Sequence, residues 1–105
     1  MSVQTLFAKR LKAARKRAEL SQRQLGILVG MDEFSASPRM NQYERAKHLP
    51  DLDTAKRLAD ALQIPMAYFY CPEDHLAELL LVANTAPPDQ LRQLLQKIGK
   101  ISNHN

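Results

Sequence analysis

The sequence predicts an all-α fold: five helices forming one domain, followed by a C-terminal helical hairpin. Three observations predict it. Apolar residues recur at spacings of three and four through most of the chain, the period of one helix face. Helix start and stop signals fall between these stripes: Ser21 with Gln24 three residues on, Gly30, Ser37-Pro38, and an aspartate at 51 or 53. No segment reads as a convincing strand, an internal repeat or a low-complexity run.

The elements follow in order. Phe7, Leu11, Ala14 and Ala18 form one stripe of a first amphipathic helix, with Lys9, Lys12, Lys16 and Arg17 off it. Ser21-x-x-Gln24 is a capping-box pattern and opens a second helix, with Leu25, Leu28 and Val29 inward. Gly30 stops it, because glycine takes the left-handed conformation without steric cost. Residues 32–36 read as a loop. Ser37 then reads as N-cap and Pro38 as the first position of a third helix, where proline's missing N–H costs nothing. Met40 and Tyr43 point inward. Asp51 or Asp53 caps a fourth helix with the stripe Ala55, Leu58, Ala59 and Leu62. After Pro65, Tyr68-Phe69-Tyr70 forms a short fifth helix closing the core, and Pro72 ends it. Leu76, Leu79, Leu80 and Ala83 make one stripe of the hairpin, residues 84–89 its turn, and Leu91, Leu94, Leu95 and Ile98 the matching stripe. The end of the chain, Gly99 to Asn105, is polar and expected to fray.

Length and composition set the class. One hundred and five residues, 45% hydrophobic and 25% charged, fit a single ordinary globular unit with a small core. A single cysteine excludes an internal disulfide. The longest apolar run, Leu79–Ala83, is far short of a membrane span. Charges interleave with apolar residues near the N-terminus, unlike the apolar block of a signal peptide. A cytoplasmic protein is expected. Charge is unevenly spread. Residues 1–48 hold ten Lys/Arg against four Asp/Glu, and residues 49–105 five against seven. A net of +6 beside a net of −2 points to a polyanion partner for the first part only.

Two short capped helices joined by a glycine-containing turn suggest a helix-turn-helix. The surroundings make the pattern specific. Leu20-Ser21-Gln22-x-x-Leu25 opens helix two, and Tyr43-Glu44-Arg45-Ala46-Lys47 closes helix three. Pro50-Asp51-Leu52-x-Thr54-Ala55-x-x-Leu58-Ala59-x-Ala61-Leu62 forms helix four. Over residues 4–70 the chain resembles the phage-repressor-like (Xre/Cro) helix-turn-helix family of DNA-binding proteins. The resemblance implies a five-helix domain, lambda-repressor-like, with helix three in the major groove and helix two crossing the backbone. It implies a structural ion pair between Arg15, late in helix one, and Glu44, ending helix three. It places the base-reading positions on Ser37, Pro38 and Gln42. Gln42 offers a donor and an acceptor to adenine, Ser37 bonds a base or a phosphate, and Pro38 packs against a thymine methyl. Arg39 joins them, its guanidinium fitting guanine O6/N7, with a phosphate contact the alternative. Asn41 is expected on a solvated face. Gln22, Arg23, Arg45 and Lys47 are the expected phosphate contacts, with Lys12 and Lys16 adding longer-range attraction.

Two departures from the family pattern matter. Glycine to glutamate is usually about ten residues in that family; Gly30 to Glu44 is fourteen, so about four residues are inserted at the turn. The insertion brings Asp32, Glu33 and Phe34. Phe34 is expected to tuck into the core; the alternative is that the loop touches DNA. The family also commonly has glycine where Ala46 stands, and a left-handed alanine there costs roughly 1–2 kcal/mol.

Other chemistry is thin. Cys71 and His75 are four apart, but Pro72 intervenes and no second pair supports a metal site. The aromatic trio is expected in the core rather than under stacked bases. No nucleophile–base–acid set and no phosphate loop is discernible, so neither an enzyme nor a cofactor is expected. Leu81 and Val82 lie off the Leu76/Leu79/Leu80 stripe, so that helix is apolar round much of its circumference. Leu76, Leu79, Leu80, Leu81, Val82, Leu91, Leu94, Leu95 and Ile98 are therefore the candidate dimer or partner surface. The expected organisation is a DNA-binding domain over residues 1–71 and a C-terminal hairpin over 72–105. The resulting expectation is a bacterial or phage-encoded transcriptional regulator, a repressor acting as a homodimer on a palindromic operator. It needs double-stranded DNA, no membrane and no small-molecule effector. The rival reading is an antitoxin, which binds its own promoter and holds a toxin protein at the hairpin.

Overall fold

The computed structural model describes residues 1–102, and its elements are helical throughout. They are α1 (Val3–Arg17), α2 (Gln22–Leu28), α3 (Ala36–Glu44), α4 (Leu52–Leu62), a 3-10 helix (Met66–Tyr70), α5 (Asp74–Thr85) and α6 (Pro88–Ser102). Three helices start at side-chain caps. Ser2 accepts from the Thr5 N–H, Ser21 and Gln24 form the full reciprocal box, and Asp51, not Asp53, accepts from the Thr54 N–H.

One core holds α1 to α5 together. Phe7 and Leu11 of α1, Leu25 of α2, Met40 of α3, Leu58 of α4 and Phe69 of the 3-10 helix are fully buried. The Phe7 and Phe69 rings lie 4.7 Å apart between centroids, so the aromatic segment closes the core as the sequence predicts. Ala18 does not extend the α1 stripe; it caps the helix and is exposed.

The inserted turn is where the structure departs most. Helix three starts at Ala36, so Ser37 and Pro38 are its second and third residues rather than cap and first position. Proline is tolerated there for the same reason, since the first-turn N–H groups have no intrahelical acceptor. Phe34 is not in the core: it is 84% exposed. Met31 fills the interior instead. The close approach of α2 and α3 rests on Gly26. A Cβ built there would lie 2.6 Å from Ala36 Cβ, so only glycine fits.

The C-terminal helices form, but they do not close on each other. In α5 the inward residues are Ala77 and Leu81, while Leu76, Leu79 and Val82 are exposed. Leu81, expected on a partner surface, belongs to the chain's own core. α6 buries none of its described residues; Leu91 and Leu94 are half-buried, and Leu95 is 63% exposed. It projects from the body, consistent with a radius of gyration of 15.7 Å against about 13 Å for a compact chain of this length. Gly99–Ser102, expected to fray, are helical, and residues 103–105 lie outside the described residues.

Candidate nucleic-acid interface

α3 has three distinct sides. Ala36, Met40 and Tyr43 are buried. On the opposite side Pro38, Gln42 and the capping residue Arg45 are exposed and fall within roughly 60° of arc at 3.6 residues per turn. Arg39 is also exposed and turns toward α4. There it lines a shallow cleft of about 310 Å³ with Gln42, Tyr43, His48, Leu49, Pro50, Asp51 and Thr54. Lys47 is exposed just past the helix. An exposed row of one amide, one proline and several cations, on a helix locked by its other side, can present hydrogen-bonding and apolar groups to a polyanion's edge.

The third side binds α3 to α2. Gln22 Nε2 donates to Asn41 Oδ1 (3.2 Å) and to Glu44 Oε1 (3.3 Å), and Ser37 Oγ donates to Gln22 Oε1 (3.4 Å). Gln22 thus has its amide engaged inside the protein. Asn41, expected to be solvated, is half-buried and bonded. Nothing in the helical period singles out Asn41; only the position of Gln22 one helix away does.

The Arg15–Glu44 contact is bidentate. Arg15 Nε meets Glu44 Oε2 at 2.6 Å and Nη2 meets Oε1 at 2.9 Å, while Nη1 donates to the Leu20 carbonyl at 2.9 Å. The side chains are only 12% and 2% exposed. The bond to Glu44 raises the Arg15 guanidinium above its ordinary value, so the arginine keeps its charge in the folded protein. It fixes the C-terminal end of α3 to α1. Just beyond, Ala46 adopts φ +58° and its carbonyl accepts from Gln4 Nε2, tying the turn to α1 as well.

The inserted acids are accounted for within the turn. The Asp32 carboxylate accepts from the Phe34 N–H (3.0 Å), and its carbonyl accepts from the Ser35 and Ala36 N–H groups (3.0 and 2.9 Å). Glu33 pairs with Arg23 at 3.4 Å across the surface, which partly neutralises both.

A second buried cation escaped the sequence reading. Arg10 is 5% exposed. It donates to the Cys71 carbonyl from Nε and Nη2 (3.0 and 2.8 Å), and Nη2 lies 3.0 Å from Asp74 Oδ1. Its place beside Phe7, Leu11 and Ala14 on the helical wheel was the available signal. Cys71 is buried and His75 exposed. Among the described residues there is no group of three potential metal ligands, and no helix is long and apolar enough to cross a membrane.

The chain matches the model of a helix-turn-helix domain family over residues 6–67. Among solved structures it is similar to the crystal structure of the transcriptional regulator BswR. The two are 58% identical, with a TM-score of 0.85, and the match covers 89% of this chain and 92% of that one. Comparison with curated proteins finds no match.

Proposed function

The chain belongs to the helix-turn-helix domain family, and from that premise we propose that it is a sequence-specific DNA-binding transcriptional regulator of the phage-repressor-like type. It acts as a repressor by occupying a palindromic operator. The observation that carries this reading is the exposed row Pro38, Gln42 and Arg45, flanked by Arg39, on a helix whose other faces are fixed to α1 and α2. Its similarity to a transcriptional regulator at 58% identity supports it. Residues 1–71 supply the reading unit. Gln42 and Arg39 read bases with Pro38, Ser37 instead turns to Gln22, and Arg45, Lys47 and Arg23 meet phosphates. Gln22 acts chiefly by holding α3 in place, because its amide already serves Ser37, Asn41 and Glu44.

The C-terminal part supplies assembly. α6 is amphipathic, its stripe of Leu91, Leu94, Leu95, Ile98 and Ile101 buries nothing fully, and Leu76, Leu79 and Val82 of α5 are exposed as well. A helix with such a stripe is stable in water only when another surface covers it. A second copy is the covering surface in this reading. The resulting two-fold pair spaces its half-sites about 34 Å apart, one turn of DNA.

The test is binding of the purified protein to its own upstream DNA in excess competitor, with footprinting. A protected palindrome that survives competitor supports the reading. Gln42→Ala then weakens specific binding by roughly 1–3 kcal/mol with the salt dependence unchanged. Lys47→Ala instead weakens all sequences alike and lowers the salt slope by about one. Binding that is weak everywhere and collapses with salt refutes sequence-specific regulation. A mass of 11.9 kDa at micromolar concentration refutes the dimer. Recovery of a second small protein bound at the C-terminal helices replaces it with the antitoxin reading.

A further inference from the structure

The turn ahead of α3 presents one large apolar side chain to solvent, and its own bonding explains why it stays there. Asp32 closes the turn on the backbone of residues 34–36, Ser35 Oγ donates to the Asp32 carbonyl at 3.3 Å, and Met31 anchors the start in the core. Phe34 is left pointing outward at the same exposure as the terminal Met1. It adds nothing to the core. It stands two residues before α3 and four before Pro38, at the end of the helix that a helix-turn-helix presents to base edges. Of the two acids beside it, Asp32 is turned onto the Phe34 N–H and Glu33 lies 3.4 Å from Arg23, which offsets its charge in part.

A benzyl side chain has no donor or acceptor, so it can neither bind phosphate nor read a polar base edge. What it can recognise in the major groove is the C5-methyl of thymine. We propose that Phe34 is a specificity-determining residue that packs on a thymine methyl adjacent to the base pairs faced by Pro38 and Gln42. The turn is already fixed by its internal bonds, so little ordering is lost on contact. The inference rests on the DNA-reading function proposed above.

The experiment uses the full chain and a duplex that the wild-type protein selects from a random pool. Wild type and Phe34→Ala are titrated against that duplex, against a random duplex, and against a series in which each thymine in turn is replaced by deoxyuridine, which removes only the methyl. Phe34→Ala is expected to melt with wild type and to keep its affinity for random duplex and its salt slope. On the selected duplex it loses about five- to tenfold, the low end of a single base contact. Wild type is expected to lose a similar factor at one deoxyuridine position, where Phe34→Ala loses nothing further. Equal affinities of the two proteins for the selected duplex overturn the proposal. So does an identical deoxyuridine profile, or an equal loss on selected and random DNA. Selection of no duplex by wild type overturns the DNA-reading function itself, and this inference with it, whereas the preceding outcomes leave that function standing.

Discussion

Replacing Arg15 by alanine strips Glu44 of its two short bonds, at 2.6 and 2.9 Å, and leaves it only Gln22 Nε2 at 3.3 Å. The carboxylate cannot move to water, because its side chain is 2% exposed. The half-buried Leu20 carbonyl loses its donor in the same step. Breaking one side of a buried pair in this way costs about 3–5 kcal/mol, against a total stability of roughly 5–15 kcal/mol for a domain. At about 4–8 °C per kcal/mol for a unit of this size, the melting temperature falls by roughly 12–40 °C. Circular dichroism melts of wild type and variant measure it. The pair Arg15→Met with Glu44→Leu provides the cycle: removing both charges is expected to cost less than Arg15→Ala alone. The surface pair Lys56–Asp60 is the control, at 2.9 Å also within direct bonding distance but more than half exposed on each side. Lys56→Ala is expected to cost under about 1 kcal/mol. A shift of only a few degrees in Arg15→Ala, no larger than in the control, would show that the ion pair does not fix α3 to α1.

Three further outcomes are expected. Ala46→Gly relieves a left-handed alanine at φ +58° and raises stability by about 0.5–1 kcal/mol net of glycine's chain entropy, read from urea midpoints; a loss would mean the turn is unstrained. Gly26→Ala forces a Cβ to 2.6 Å from Ala36 Cβ. It should destabilise by about 1–3 kcal/mol and weaken DNA binding as α3 is displaced, so unchanged melting and binding would contradict the α2–α3 packing. Asp74 is held below its ordinary value of 3.8 by hydrogen bonds from Lys9 and Arg10, as Asp51 is by Thr54. A depressed carboxyl stabilises the fold fully above that value and loses its contribution as pH falls through the lower folded value. Asp74→Asn should therefore flatten the acid limb of a stability–pH curve, and parallel limbs would dismiss the pairing.

Much of the fold was legible because local rules govern it. Capping at Ser21 and the stop at Gly30 depend on residues within a few positions of each other, and both occur. The stripe of α4 was readable because its polar and apolar faces are sharply divided. The α5 stripe was not, because that helix is apolar nearly all round. Periodicity then leaves the inward face open, and packing into the common core selects Ala77 and Leu81. Phe34 misled for a related reason. A large apolar residue in a short turn reads as a core anchor, yet Met31 was three positions nearer and took the place. Arg10 was passed over as one more cation on α1, since charge says nothing about which carbonyls lie across the core.

The sequence by itself determined the helices, the order in which they occur, the two-helix motif and the identity of the Arg15–Glu44 pair, because each is encoded by spacing, by capping chemistry or by family pattern. Tertiary structure alone decided which side chains those helices share. It engaged Gln22 with three residues of α3, buried Arg10 against the Cys71 carbonyl, required glycine at position 26, turned Phe34 outward and left the α6 stripe uncovered. The physical reason is range. Helix propensity and capping act over about four residues, whereas burial and hydrogen bonding between helices depend on groups ten to sixty positions apart, whose distances no local pattern states.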